Sequence, residues 1–347
     1  MESTAVQADG KIVVVGSAYP LDGGDRDIFV MRIDPAIGLD PSFGFGGFVT
    51  TDFADDDDYA YTVLVMPNGK IVVGGAAYEG GNFDFAVARY NANGLPDNTF
   101  GGTGKVSIDF DSDSDVAYDI ALQPDGRLVV VGSGQIGNNT DFAIARLNEN
   151  GTPDNSFGGG DGKLSTGFGG WEKASDVKIQ ANGRIVVVGP ENVLNPNNSF
   201  IARYLPNGTL DGSFGVGGKL TISNDVMHDL ALQPDGKMVL SGRTSDGKFV
   251  FHRLLPGGAH DPIFGVVGDG IVWLENTSGI TSFDLDIALQ PDGRILAGGE
   301  IAGDATALVR LWPDGRYDSG GQQTHKLVVP PIFDLASGAD ALTSALA

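Results

Sequence analysis

An arginine followed eight residues later by an aspartate recurs six times along the chain: Arg32/Asp40, Arg89/Asp97, Arg146/Asp154, Arg203/Asp211, Arg253/Asp261 and Arg310/Asp318. Nothing is inserted or deleted between the two members of any pair. Each pair holds the same place in a repeat of about 57 residues. A segment of that length, copied six times, is a supersecondary unit that buries its apolar face only by stacking on its neighbours. The 347 residues therefore read as one repeat domain over 1–330. Residues 331–347 fit no repeat and read as a tail or linker.

The third repeat shows the grammar. Ala117 to Gln123 alternates apolar with small or polar residues, as a half-buried strand does. Pro124-Asp125-Gly126 follows: Pro presets φ, Asp bonds its own backbone and Gly accepts positive φ. Arg127 to Gly132 reads as a second, buried strand. A polar loop, Ser133 to Thr140, leads to a third strand, Asp141 to Leu147. A segment dense in turn formers leads on to a fourth, Lys163 to Phe168. The hairpin turn recurs in every repeat. So does the Gly ending strand two: Gly16, Gly75, Gly132, Gly189, Gly242 and Gly299. A Phe stands three residues past the Asp as Phe43, Phe100, Phe157, Phe214 and Phe264, with Gly321 in that place in the sixth repeat.

Six units of four strands, with no helical stretch, predict an all-β fold: a six-bladed β-propeller built from four-stranded repeats. A β-solenoid is the runner-up, but its coils are shorter and its strands parallel. The repeats resemble the delta-60-repeat family of β-propellers. Gln-Pro-Asp-Gly-Lys (233–237), Ile-Val-Val-Gly (71–74), Phe-Ala-Val-Ala-Arg-Tyr (85–90) and Asn-Gly-x-x-Asp-x-x-Phe-Gly (93–101) carry the resemblance over roughly residues 3–330. It implies the fold and brings no activity with it.

The net charge is −23. Such a surface repels nucleic acid and anionic membranes and attracts cations or basic partners; it also keeps a repeat protein soluble. No apolar run is long enough to insert into a membrane. There are no cysteines, so thiolate metal sites are excluded. An extracellular or cell-surface bacterial location is expected, as a monomer or as part of a larger chain, although the N-terminus shows no signal peptide.

In an antiparallel meander, the loops joining strands two to three and four to one share one face. These loops vary from repeat to repeat, which suits a ligand face on a rigid scaffold. The same face receives the start of each first strand, where Ser3, Thr62, Asp119, Asp176, Asp229 and Asp286 share one register. If the first strand is innermost, these oxygens ring the channel mouth. The four carboxylates, Asp119, Asp176, Asp229 and Asp286, then become candidate Ca²⁺ ligands. The alternative is that each bonds a neighbouring backbone N–H.

Six copies of an Arg/Asp pair point to a structural bridge, bidentate and underlain by the Phe, rather than to catalysis. Asp109, Asp111, Asp113 and Asp115 have calcium-loop spacing without the Gly and distal Glu of an EF-hand. Asp55 to Asp58 reads either as a cation site or as a solvated run. His228 and His252 fall on the variable face, where with Asp229 they could form a base or ligand set, and Thr62 joins them as a candidate binding residue. Tyr19, Tyr59, Tyr61, Tyr78, Phe83 and Trp171 could stack sugars. The expected function is a non-catalytic binding or interaction scaffold with a protein or carbohydrate partner. The alternative is a Ca²⁺-dependent hydrolase, of lactone or phosphotriester type, with its site at the channel mouth; that rests on fold analogy alone.

Overall fold

The computed structural model describes residues 2–20, 23–54, 56–111, 113–191, 198–274, 285–301, 305–318 and 325–327. The tail 331–347 and most of the loop at 191–199 lie outside them. Six antiparallel sheets follow one another along the chain, and no helix occurs among the described residues. The protein is a six-bladed β-propeller.

Blade one comprises Ser3–Val6, Ile12–Ala18, Asp27–Asp34 and Phe48–Thr51, with a short extra strand at Gly38–Leu39. Blade two is Asp58–Val65, Ile71–Glu79, Asn82–Tyr90 and Lys105–Ile108. Blade three is Asp115–Leu122, Leu128–Ile136, Asn139–Leu147 and Lys163–Thr166. Blade four is Asp176–Ile179, Ile185–Pro190, Asn198–Tyr204 and Lys219–Ser223. Blade five is Asp225–Leu232, Met238–Thr244, Phe249–Leu254 and Ile271–Trp273. Blade six is Leu285–Leu289, Ile295–Ile301, Ala305–Leu311 and His325–Leu327. The first strands of successive blades lie against one another, so strand one lines the hub.

Apolar side chains on facing sheets fill the spaces between blades. Val13, Val30 and Phe43 of blade one pack on Ile71, Val73 and Tyr90 of blade two. Equivalent clusters join each later pair through to blades five and six. Burial of such side chains is the main stabilising term between blades.

The hairpin turn behaves as its chemistry requires. Asp125 Oδ1 accepts the backbone N–H of Arg127 at 3.2 Å, and Gly126 sits at φ +87°. The polar loop expected at Ser133 to Thr140 is mostly strand. Gly134 pairs with Asp141 and Ile136 with Asn139, leaving only Gly137 and Asn138 at the tip. Ladder hydrogen bonds there satisfy backbone groups that a loop would leave to water. Blade two extends in the same way, to Glu79 opposite Asn82. Both hairpins project from the variable face.

The Gly expected to end strand two lies within it, and it answers a close approach. A Cβ on Gly132 would lie 1.9 Å from the carbonyl oxygen of Val116, and Gly75, Gly189 and Gly242 meet the same obstacle. In three blades that carbonyl stands beside a β-bulge in strand one, which skips Tyr61, Tyr118 and His228. A bulge re-aims the extra side chain. The glycine thus leaves room for the bulge that re-aims Tyr61, Tyr118 and His228 in those three blades.

Candidate ligand-binding face

On the opposite face the Arg/Asp pairs all make contact, with Nε to Oδ2 distances of 2.8, 2.6, 2.8, 2.9, 2.9 and 2.6 Å in chain order. They are not bidentate, contrary to expectation. In blades one to four the other guanidinium nitrogens reach a Ser or Thr hydroxyl and a carbonyl of the next blade. Arg32 Nη2 donates to Ser42 Oγ at 3.1 Å and its Nη1 to the Ala92 carbonyl at 2.6 Å. Arg89, Arg146, Arg203 and Arg253 donate likewise to the carbonyls of Glu149, Pro206, Pro256 and Pro313. The guanidinium lies over the Phe, 4.5 Å from the ring centre for Arg146 and Phe157. A second cation from the hairpin turn completes each Asp: Lys11 at 2.6 Å from Asp40 and Arg127 at 3.0 Å from Asp154, for example. The cluster is a latch between consecutive blades.

The sixth pair makes the same ion pair in a more exposed setting. Asp318 has both its cations, Arg310 Nε at 2.6 Å and Arg294 Nε at 3.2 Å. Its Oδ2 accepts no hydrogen bond, as is also true of Asp261 in the fifth pair, so both contacts are ionic without the donor alignment of blades one to four. Asp318 is also only half-buried, whereas Asp40, Asp97, Asp154, Asp211 and Asp261 are buried. Arg310 is 45% exposed at its side chain, against 2–8% for the other five arginines. The residue three past Asp318 is Gly321, where the other five repeats have the Phe that underlies the guanidinium.

At the channel mouth each hub carboxylate reaches the next blade. Asp119 Oδ2 accepts from Val177 N at 3.0 Å, Asp176 Oδ2 from Leu230 N at 2.8 Å and Asp229 Oδ2 from Ile287 N at 2.6 Å. Thr62 Oγ1 donates to Asp119 Oδ1 at 3.1 Å. Asp286 lies at the start of blade six and is exposed. Lys178 was missed in the sequence. It occupies the hub-lining place that Ala121, Ala231 and Ala288 hold elsewhere, and only an in-register comparison of the repeats reveals it. Its Nζ contacts Asp176 Oδ1 and stands 3.9 and 3.8 Å from Asp119 Oδ2 and Asp229 Oδ1. Burial opposes the charge, but the three carboxylates hold this ammonium above its ordinary range. Burial lifts Asp119 to about 7, and the charge of Asp176 adds to the shift. Burial and Asp176 also raise Asp229.

His228 and His252 do not share a site. His252 is buried; its Nε2 meets Asp225 Oδ2 at 2.9 Å and its Nδ1 meets His260 Nε2 at 2.8 Å. His260 is therefore its partner. His228 sits in the strand-one bulge, and its carbonyl accepts from Ser175 Oγ. Burial, then Lys173 and Arg243, hold the His228 imidazole down to about 3.

Five of the six candidate aromatics join in one belt. Arg26 lies over Tyr19 at 4.8 Å and over Tyr59 at 5.1 Å. Tyr59 stacks on Tyr61 at 6.2 Å, and Tyr61 meets Tyr118 at 5.4 Å. Lys173 caps the Tyr118 ring at 3.7 Å. Phe83 branches from Tyr59 at 5.7 Å and reaches Tyr78 at 5.1 Å. Tyr59 and Tyr61 alternate about buried Ala60, which sets both rings on one side of the strand. Trp171 is 53% exposed on the same face.

Segments 7–43, 67–100, 123–157, 180–214 and 290–320 match the family described as "Domain of unknown function (DUF5122) beta-propeller". The chain is a β-propeller repeat protein. Four of the five matched segments end at the Phe beneath the latch. No curated protein matches the chain. Among solved structures, one titled as a PL25 polysaccharide lyase, an ulvan lyase, is 12% identical, with 90% of this chain and 80% of that one covered and a TM-score of 0.50. A protein of unknown function from Bacteroides caccae is 12% identical over 92% of this chain and 95% of that one, with a TM-score of 0.49. A glucose dehydrogenase is 13% identical over 85% and 95%, with a TM-score of 0.47. At 12% identity the likeness to the lyase speaks to the fold alone and leaves activity open.

Proposed function

We propose that this repeat protein, of the delta-60 type, is a binding scaffold whose ligand face is formed by the loops joining strands two to three and four to one. Its ligand is a carbohydrate chain lying along the aromatic belt. The observation that carries this reading is the continuous run of Tyr19, Arg26, Tyr59, Tyr61, Tyr118 and Lys173 beside the channel mouth. Flat rings with a few polar groups between them offer an apolar contact area and fix orientation through hydroxyls, as ligand sites generally do. Tyr59 Oη donates to Asp57 Oδ2 at 3.1 Å, and Asp57 Oδ1 also accepts the backbone N–H of Arg26. A rigid scaffold beneath variable loops is a common setting for recognition.

The hydrolase alternative lacks comparable support. The hub carboxylates engage backbone N–H groups and Lys178, so a Ca²⁺ ion there would have to displace an ammonium.

Titration calorimetry with a soluble β-glucan and with a polyuronate tests the reading. At least one should bind, and Tyr61→Ala and Tyr118→Ala should each weaken it about tenfold, the loss of ~1.4 kcal/mol of ring contact. Absence of binding to either polymer, or binding indifferent to both substitutions, would overturn it.

A further inference from the structure

Two equivalent groups of carboxylates sit on the variable face, away from the hub, where consecutive blades meet. Asp27 and Asp52 of blade one converge with Asp58 of blade two. Asp84 and Asp109 of blade two converge with Asp115 of blade three. In each group one carboxylate oxygen per residue lies within 4.8 Å of the other two. Ligands bound to one Ca²⁺ at about 2.3–2.6 Å are necessarily within roughly 5 Å of one another.

An acidic cluster alone would signify little. The second observation is Asp58 itself. The residue is fully buried, its Oδ2 accepts from Phe53 N at 2.6 Å, and its Oδ1 has no hydrogen-bonding partner. A buried carboxylate oxygen without a partner is costly, and buried charges are normally paired or coordinate a metal. Asp115 occupies the same place one blade later and is also fully buried. Its two oxygens accept from Phe110 N and Gln135 N, which fixes the carboxylate and leaves lone pairs over.

We propose that these junctions are two divalent-cation sites that staple blade one to blade two and blade two to blade three. The donor set is oxygen only, with neither His nor Cys, which selects a hard ion such as Ca²⁺ or Mg²⁺. Asp52 and Asp109 are exposed, so water can complete the coordination shell. One ammonium stands near each group: Lys105 Nζ on the Asp52 carbonyl and Lys163 Nζ on the Asp109 carbonyl, both at 2.6 Å. With all three carboxylates ionised, one ammonium leaves each group a net charge of about −2.

The next junction supplies an internal control. There Asp141 faces Glu172, but Gly167 replaces Asp52 and Asp109, and a Cβ on it would lie 2.9 Å from Asp141 Oδ1. Only two carboxylates remain, and no cation is assigned. One blade further on, Asp225 is hydrogen-bonded to His252.

Calorimetric titration of Ca²⁺, and separately of Mg²⁺, into chelator-treated protein decides the matter. Two equivalent sites are expected. Asp58→Asn and Asp115→Asn should each remove one. Because those residues are buried, the exposed Asp52→Asn and Asp109→Asn provide variants that keep the fold, each weakening one site about tenfold. Asp176→Asn and Asp229→Asn at the hub should leave the stoichiometry at two. No binding at millimolar ion would sink the proposal. So would binding untouched by the four junction substitutions, or binding lost only with the hub variants.

Discussion

Lys178 shows how one residue changes the sense of a site. Five repeats place an aliphatic residue at that hub position, and the fourth places an ammonium among three carboxylates. The ring of oxygens was legible because its register repeats. Its partner was not, because a single departure from a repeat carries no periodic signal. His228 makes folding stability depend on pH. Its folded pKa is about 3, below that of a free imidazole, because burial and the cations Lys173 and Arg243 disfavour its charge. The unfolded chain therefore takes up the proton first, and folding stability falls as pH drops from about 6.5 toward 3. Chemical denaturation across that range should show a shallower loss for His228→Gln than for the parent. An identical slope would mean that the imidazole titrates normally in the folded protein.

Among the elements, the strand-one bulge and the facing glycine act together. The recurring Gly was visible in the sequence, but its reason was not, since no local pattern reveals a carbonyl arriving from a bulged strand. The same blindness hid the long hairpins. Ser133 to Thr140 is polar, yet its backbone pairs almost to the tip. Gly132→Ala should destabilise the protein by about 2–3 kcal/mol, as overpacking does when the obstructing atom is backbone. Gly159→Ala in the same blade, with nothing within 4 Å of the added carbon, should be nearly neutral in the same thermal melt. Equal effects would show that the bulge yields easily. The sequence reading singled out Asp58, Asp109 and Asp115 in acidic runs but not their partners Asp27, Asp52 and Asp84, because the members of each junction come from three separate strand ends on two blades. Only the stacking of blades brings them together.

For the molecule as a whole, the fold was readable because six copies of one signal reinforced each other. The same repetition made the sixth Arg/Asp pair look like the rest, although Asp318 and Arg310 form the most exposed latch of the six. The described residues show a contiguous chain segment in every blade, and no strand is exchanged between the last and the first. The forward face of blade six is correspondingly less covered. Leu308 is 43% exposed, whereas Val30, Val87, Ile144, Ile201 and Phe251 in the same register are fully buried. Arg146→Ala should therefore cost about 3 kcal/mol, since it leaves Asp154 buried with less compensation and frees a carbonyl of the next blade. Arg310→Ala should cost less than about 1 kcal/mol, the range of exposed pairs, because Asp318 keeps Arg294 beside it. Parallel denaturant titrations of the two variants check this, and equal losses would show that the sixth latch engages as fully as the third.

Whole-blade contiguity bears on how such a chain can change in length. Where a closing sheet borrows its last strand from the opposite terminus, duplicating a repeat must preserve that borrowed clasp. Here the cut points fall between blades, so copying one 57-residue segment in frame inserts a complete blade with its own latch arginine and its own receiving carbonyl. Relocating the termini from one blade boundary to another would likewise split no sheet.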